Sequence, residues 1–344
     1  MLKLHEIHRL QIELTTKCNS RCPMCMRNYR GLAYNSGYPD VDLSLSDLKK
    51  ILPPGFLKQI EKVLFNGNLG DFGLAKDGVE IVEYLIEQGV PSIQINTNGS
   101  MRTPTWWARL AHPEVLVGFA LDGLADTHSL YRQDTDWHKV IENARAFIAA
   151  GGQAIWRFIP FRHNLHQEEE CKKLAREIGF KHFENIGEGR DNGPVYTRTG
   201  DFSHWIGDPW PFLKENTEPD IVNMVQSHIT WYDSKTVKSS KDITPLDIGC
   251  NHKRNRELYI AANGEIYPCC YLGYYPKTMH HPGNEQLKLL VQGNNALEYS
   301  LEDCIKWFDS VEETWNQPSI AEGRLYACVN SCGQWKPSEN YYTL

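Results

Sequence analysis

The sequence predicts an α/β protein, a partial (β/α)6 barrel followed by a small domain built on a β-hairpin. Three observations predict it. Strand-length apolar runs alternate with helical patterns from about residue 10 to residue 186. The alternation yields six units, short of the eight that a closed barrel needs. Later, two β-prone runs flank Asn263-Gly264, the strongest short hairpin signal a sequence carries.

Leu10 to Leu14 reads as the first strand. Ser44 or Ser46 caps a helix through Leu52, and Pro53-Pro54 stops it. Ile60 to Phe65 is the second strand. Val79, Val82, Leu85 and Ile86 give Asp77 to Gln88 a helical stripe, closed by Gly89 and Pro91. Ile93 to Asn96, a short helix from Thr105 to Ala111, and Val115 to Leu121 continue the pattern. Trp137 to Ala150 is helical to Gly151-Gly152, Ala154 to Ile159 is a strand, Gln167 to Ile178 is helical to Gly179, and Phe180 to Asn185 is the sixth strand. Such units imply a parallel sheet with right-handed crossovers.

Residues 187 to 249 break the rhythm with Gly187, Gly189, Gly193, Pro194, Pro209, Pro211 and Pro219. Trp205, Trp210 and Trp231 make the stretch too aromatic for disorder, so it reads as an ordered, irregular bridge or lid. A second module starts at Cys250, where Glu257 to Ala262 and Glu265 to Tyr267 form the hairpin. The expected domains are residues 8–188, 189–249 and 250–344.

The chain has 344 residues, with 36 Lys plus Arg against 43 Asp plus Glu, a net charge of −7. That balance does not suit nonspecific binding to nucleic acid or an anionic membrane. Apolar runs such as Val115-Leu116-Val117 fall far short of a membrane span. Met1 to Glu6 shows neither an apolar h-region nor a cleavage site. Ten cysteines, clustered in such a chain, point to metal or redox chemistry in a reducing compartment, and the expected location is cytoplasmic.

Cys18, Cys22 and Cys25 form C-x3-C-x2-C just after the first predicted strand, at the end where parallel α/β folds build active sites. Three thiolates suit soft metals, and the absence of a local fourth ligand favours an iron–sulfur cluster with one open iron over a closed structural zinc site.

This stretch resembles the hallmark of the radical S-adenosylmethionine (radical SAM) enzymes, which carry it after the first strand of a partial (β/α)6 barrel. The resemblance implies that Cys18, Cys22 and Cys25 hold a [4Fe–4S] cluster whose open iron chelates SAM. One electron then cleaves SAM to methionine and a 5′-deoxyadenosyl radical, which abstracts hydrogen from the substrate. Asn66-Gly67-Asn68 stands where the family commonly has Gly-Gly-Glu, with Asn68 in place of the acid. Thr97-Asn98-Gly99 ends the third strand, and Leu121-Asp122-Gly123 ends the fourth, preceded by Ala120 where many members have Ser. Tyr131-Arg132 resembles a segment whose Arg pairs with the SAM carboxylate. Met24 replaces an aromatic residue near the adenine. The implied SAM-binding set is Asn66, Gly67, Asn68, Asn98, Asp122 and Arg132.

Cys250, Cys269, Cys328 and Cys332 resemble a reduced SPASM or twitch-like extension with a second, auxiliary [4Fe–4S] cluster; the long cysteine run of a full SPASM domain is absent. The same four residues could form a zinc site. Cys270 competes with Cys269, while Cys171 and Cys304 read as buried packing residues on helices. His163 and Asn164 follow the fifth strand and face the mouth of the sheet, with Asn164 favoured as a helix cap. Arg157 on that strand needs an anionic partner, an internal carboxylate before a substrate one. His280-His281 reads as surface.

The reading is a radical SAM oxidoreductase, dehydrogenase- or maturase-like. Its substrate is a peptide or small molecule, its electron donor a protein such as flavodoxin or ferredoxin, and its auxiliary cluster passes electrons or anchors the substrate. The first strand's early start tilts the expectation toward small molecules, or toward peptides that need no separate leader-docking module. The alternatives are a zinc-stabilised noncatalytic binding module and a nucleic-acid-modifying radical SAM enzyme.

Overall fold

The computed structural model describes residues 1–25, 27, 28, 30–32, 39–187, 193–206, 247–274 and 282–333. The chain divides into two compact units, Ile12–Pro219 and the combination of Met1–Gln11 with Asp220–Leu344.

Strands β1 (Arg9–Ile12), β2 (Lys62–Phe65), β3 (Ile93–Thr97), β4 (Val115–Ala120), β5 (Gln153–Phe158) and β6 (His182–Asn185) follow one another in chain order, each crossover advancing one position. β2 to β6 pair in parallel, with Asn96 opposite Gly118 and Arg157 opposite both Ala120 and Glu184. The sequence therefore predicts the type and order of these elements, with small shifts at their ends.

One face of the sheet is apolar and closed. Val63, Ile93, Ile95, Val115, Val117, Phe119, Trp156 and Phe158 are all fully buried. The helices Gly78–Glu87, Pro104–Arg109, Trp137–Ala149 and Glu168–Ile178 alternate with these strands. The predicted stripe of Val79, Val82 and Leu85 is buried, and Trp107 packs on Phe119 with ring centroids 5.3 Å apart. Each such side chain contributes about 1.5–3 kcal/mol through burial. The opposite face mixes Asn66, Gln94, Asn96, Arg157 and Glu184 with Leu64, Leu116 and Ile155, and its polar residues gather toward the C-terminal strand ends. A parallel sheet covered on both faces would be apolar on both; the polar strand ends belong to an open, solvated interior.

Local signals set the helix ends. Ser44 Oγ accepts from Asp47 N–H while the Asp47 carboxylate accepts from Ser44 N–H, a reciprocal cap for Leu45–Ile51. Gly179, at φ +99°, ends Glu168–Ile178 in the left-handed conformation. Asn164 stands at the N-cap of the short 3-10 helix Leu165–Gln167, but its side chain does not cap it. Its Oδ1 accepts from Phe161 N–H and its Nδ2 donates to Ile159 C=O, so it ties the loop back to β5. The backbone already turns there, and the side chain satisfies strand-end groups instead.

Residues 193–206 are more regular than expected. β7 (Gly193–Tyr196) and β8 (Phe202–Ile206) form an antiparallel hairpin. Gly189, Pro209, Trp210, Pro211, Pro219, Trp231 and His280-His281 lie outside the described residues.

In the other unit, β9 (Glu257–Ile260) and β10 (Ile266–Tyr267) form the predicted hairpin, pairing Ile260 with Ile266 and Tyr259 with Tyr267. Gly264 turns at φ +85°, and a Cβ there would sit 2.7 Å from Leu297 Cγ. Among the described residues, no helix is long and apolar enough to cross a membrane.

Candidate functional site

The loop after β1 carries Cys18, Cys22 and Cys25. Cys25 N–H donates to Cys22 C=O at 2.8 Å, a turn that curls the three thiols toward one another. Donors surround them. Asn98 Nδ2 lies 3.8 Å from Cys18 Sγ, Arg132 Nη1 lies 3.6 Å from Cys22 Sγ, and Ser20 Oγ lies 3.0 Å from Cys22 Sγ. Burial, then the neighbouring Cys22, pushes the Cys25 thiol up to about 11. Burial pushes Cys18 up further, helped by Asp71. Such thiols stay protonated until a cation displaces the protons. Among the described residues, no three His, Cys, Asp or Glu side chains converge on a single-ion site. Three neighbouring thiols, Cys22 buried and Cys18 and Cys25 half-buried, with N–H donors directed at sulfur fit a thiolate-bound cluster.

Arg132 reaches the loop because Asp122 holds it. The fully buried Asp122 accepts from Arg132 Nε at 2.6 Å through one oxygen and from Ile159 N–H at 2.7 Å through the other. Asp122 N–H donates to His128 Nδ1 at 3.2 Å. Burial, with Arg132 nearby, drives His128 down to about 3, so it is neutral. Asp122 thus spends both oxygens within the protein, while Arg132 turns toward sulfur.

Asn98 is fixed as tightly. Its N–H donates to Asp71 at 2.7 Å, and its Oδ1 accepts from Ser100 N–H and Oγ–H. Asp71, buried, also accepts from Thr97 Oγ–H and Gly73 N–H, and burial raises its pKa. Asn66 and Gly67 line a small cleft with Glu13, Asp71 and Asn96. Glu13 accepts from Leu69 N–H at 2.6 Å and Gly70 N–H at 3.0 Å, holding the Asn66-Gly67-Asn68 turn. Sequence reasoning misses Glu13, Asp71, Ser20 and His128. A buried acid after a strand is the one signal that could have flagged Glu13.

The β7–β8 hairpin closes over the cysteine loop. Tyr196 N–H donates to Arg30 C=O at 2.9 Å, and Arg21 and Arg198 both pair with Asp134. Val195 and Ile206 pack in one apolar cluster with Cys22, Tyr131, Ile159 and Phe161, and Met24 and Cys25 lie against it.

The second cysteine group lies within the other unit. Cys250, Cys269, Cys328 and Cys332 line one small cavity with Ile248, Pro268 and Leu272. Cys328 and Cys332 share a face of helix Tyr326–Cys332, four residues apart. Cys250 and Cys269 each stand directly before a short helix, Asn251–Asn255 and Cys270–Tyr274. Burial raises all four thiols, Cys328 to about 12. Cys270 does not line the cavity and interacts with Glu257 and Gln11. Cys171 and Cys304 are fully buried on their helices, as expected for packing residues.

Comparison with known proteins agrees with this architecture. Residues 12–181 match the family model of the Radical SAM superfamily. The cysteine-type anaerobic sulfatase-maturating enzyme of Clostridium perfringens is 23% identical over 324 residues, covering 85% of this chain and 84% of that protein. SuiB of Streptococcus suis bound to S-adenosylmethionine superposes with a TM-score of 0.52 at 16% identity, over 86% of this chain and 64% of that one, so this chain spans less than two thirds of SuiB there. The structure of anSMEcpe with bound AdoMet gives 0.50 at 15% identity, over 87% of this chain and 80% of that one. Both likenesses show the fold. With the cysteine loop at the end of the first strand and the family match running from the end of β1 to the residue before β6, this chain belongs to the radical SAM superfamily.

Proposed function

We propose that this enzyme modifies a peptide, with Cys18, Cys22 and Cys25 holding the SAM-binding [4Fe–4S] cluster and Cys250, Cys269, Cys328 and Cys332 an auxiliary [4Fe–4S] cluster. When bound and reduced, the first cluster supplies the electron that cleaves SAM to methionine and a 5′-deoxyadenosyl radical, which takes hydrogen from the substrate. The observation that carries the reading is the trio of neighbouring thiols, with Arg132 and Asn98 donating toward two of their sulfurs. Arg132 holds its positive charge 3.6 Å from Cys22 Sγ. Asp122 positions Arg132, Asp71 positions Asn98, and Glu13 positions the Asn66-Gly67-Asn68 turn. The β7–β8 hairpin keeps bulk water off the cysteine loop. Asn66, Gly67, Asn68 and Asn98 are the groups we assign to SAM with Arg132, while Asp122 acts through Arg132.

A peptide substrate is favoured by the relatives, one a sulfatase-maturating enzyme and others solved with the precursor peptide SuiA and with the Cp18Cys peptide. In the four-cysteine cavity, two sulfurs at helix starts and two on one helix face supply four thiolates, enough for one auxiliary cluster. The domain limits 8–188, 189–249 and 250–344 belong to the same proposal. Anaerobic turnover with dithionite and SAM tests it. The expected product is 5′-deoxyadenosine, with formation stimulated by a peptide substrate. Colourless protein holding stoichiometric zinc and no such product would overturn it.

A further inference from the structure

The mixed face of the barrel sheet contains one cation that the function above leaves unused. Arg157 lies one residue before the end of β5, at the end of the sheet that carries Cys18, Asn98 and Asp122. Its Nε donates to Glu184 Oε2 at 2.7 Å. Among the described residues, neither η nitrogen makes a hydrogen bond, although the side chain is only 21% exposed. A guanidinium has five donors, and a single bond through Nε leaves its planar fork open.

The surrounding strands make room for this pose. A Cβ on Gly118 would lie 2.6 Å from Arg157 Cδ and 2.9 Å from Asn96 Oδ1. Glycine inside a strand marks such a close approach. The arginine stem therefore crosses β4 beside Asn96, whose Nδ2 donates to Asn66 at 3.1 Å. Glu184 is 46% exposed, so it orients the guanidinium from the sheet edge without enclosing it.

We propose that Arg157 binds a carboxylate of the substrate on the inner face of the barrel, with Glu184 orienting it and Gly118 giving it passage. The inference rests on the peptide-modifying reading and names a feature of the substrate: an acidic side chain or a free chain terminus. The two parallel N–H groups of the fork match the two oxygens of a carboxylate.

Ligand-observed saturation-transfer NMR on the full chain tests this, with glutarate as the probe and glutaramide as its neutral twin. Glutarate should give signal and glutaramide none. Arg157→Gln should weaken the glutarate response about fivefold, as loss of one charge-assisted contact implies. Glu184→Gln should strengthen it, because the guanidinium loses a competing anion. That second variant keeps the test decisive if Arg157→Gln fails to fold. An unchanged response in Arg157→Gln, an equal response to glutaramide, or no gain in Glu184→Gln would each overturn the proposal. The titration needs neither SAM nor turnover, so its failure is separable from failure of the cluster assignment, which iron content tests.

Discussion

Asp122 is the residue whose removal should be felt most sharply in the barrel. It is fully buried, and it holds Arg132 Nε at 2.6 Å and Ile159 N–H at 2.7 Å. Asp122→Asn keeps the shape and an oxygen for Ile159. It removes the negative charge and presents an N–H₂ group toward the guanidinium. Breaking one side of a buried pair costs about 3–5 kcal/mol. The Arg132 side chain keeps 16% of its exposure, which places the loss near the lower end, about 3 kcal/mol. At about 2.1 cal/mol/K of unfolding entropy per residue, 1 kcal/mol moves the melting temperature of a 344-residue chain by about 1.4 °C, so the fall should be about 4 °C. Arg132→Met should destabilise as well, by stranding the carboxylate. The double variant should lose less than the sum, with a coupling of about 2 kcal/mol. Anaerobic urea denaturation followed by circular dichroism measures all three. A loss below about 1 kcal/mol in Asp122→Asn, or additive losses, would refute the argument that Asp122 positions Arg132.

Three further outcomes are expected. A Cβ on Gly70 would sit 1.7 Å from Thr15 O, so Gly70→Ala should cost about 3 kcal/mol or more in the same denaturation assay, because backbone cannot yield as a side chain can. His128, held near pKa 3 by burial, resists protonation that the unfolded chain accepts below about pH 6.5. Stability should therefore fall as pH drops from 7 to 5, by about 2 kcal/mol through this residue, and His128→Asn should flatten that part of the profile. Cys269→Ala should lower bound iron by about half, while Cys270→Ala should leave it unchanged; equal losses would refute the choice of Cys269.

Most of the fold was legible because its signals are local. The 2-residue and 3.6-residue periods, the Ser44 cap, the Gly179 stop and the Asn263-Gly264 turn each act within a few residues. The cysteine spacings were legible for the same reason, since C-x3-C on Tyr326–Cys332 puts both thiols on one face. What escaped depends on distant partners. Asp71 and Asn98 are 27 positions apart, and Glu13 and Leu69 are 56 apart. The β7–β8 hairpin was hidden because Gly193, Pro194 and Trp205 read as irregular chain, while its order comes from docking on Arg30 of the cysteine loop and on Asp134, which follows Arg132. Asn164 shows a further limit. A residue type that favours a helix cap also suits a loop tie, and only the tertiary position of Ile159 and Phe161 decides between them.

The central claim is that two separate cysteine groups each hold one four-iron cluster and that only the first cleaves SAM. Iron and 5′-deoxyadenosine should be measured together on the full chain after anaerobic reconstitution. The wild-type protein should hold about eight irons. The variant with Cys18, Cys22 and Cys25 replaced by Ala should hold about four and release no 5′-deoxyadenosine with dithionite. Product from that variant, or zinc in place of iron in the wild-type protein, would contradict the account.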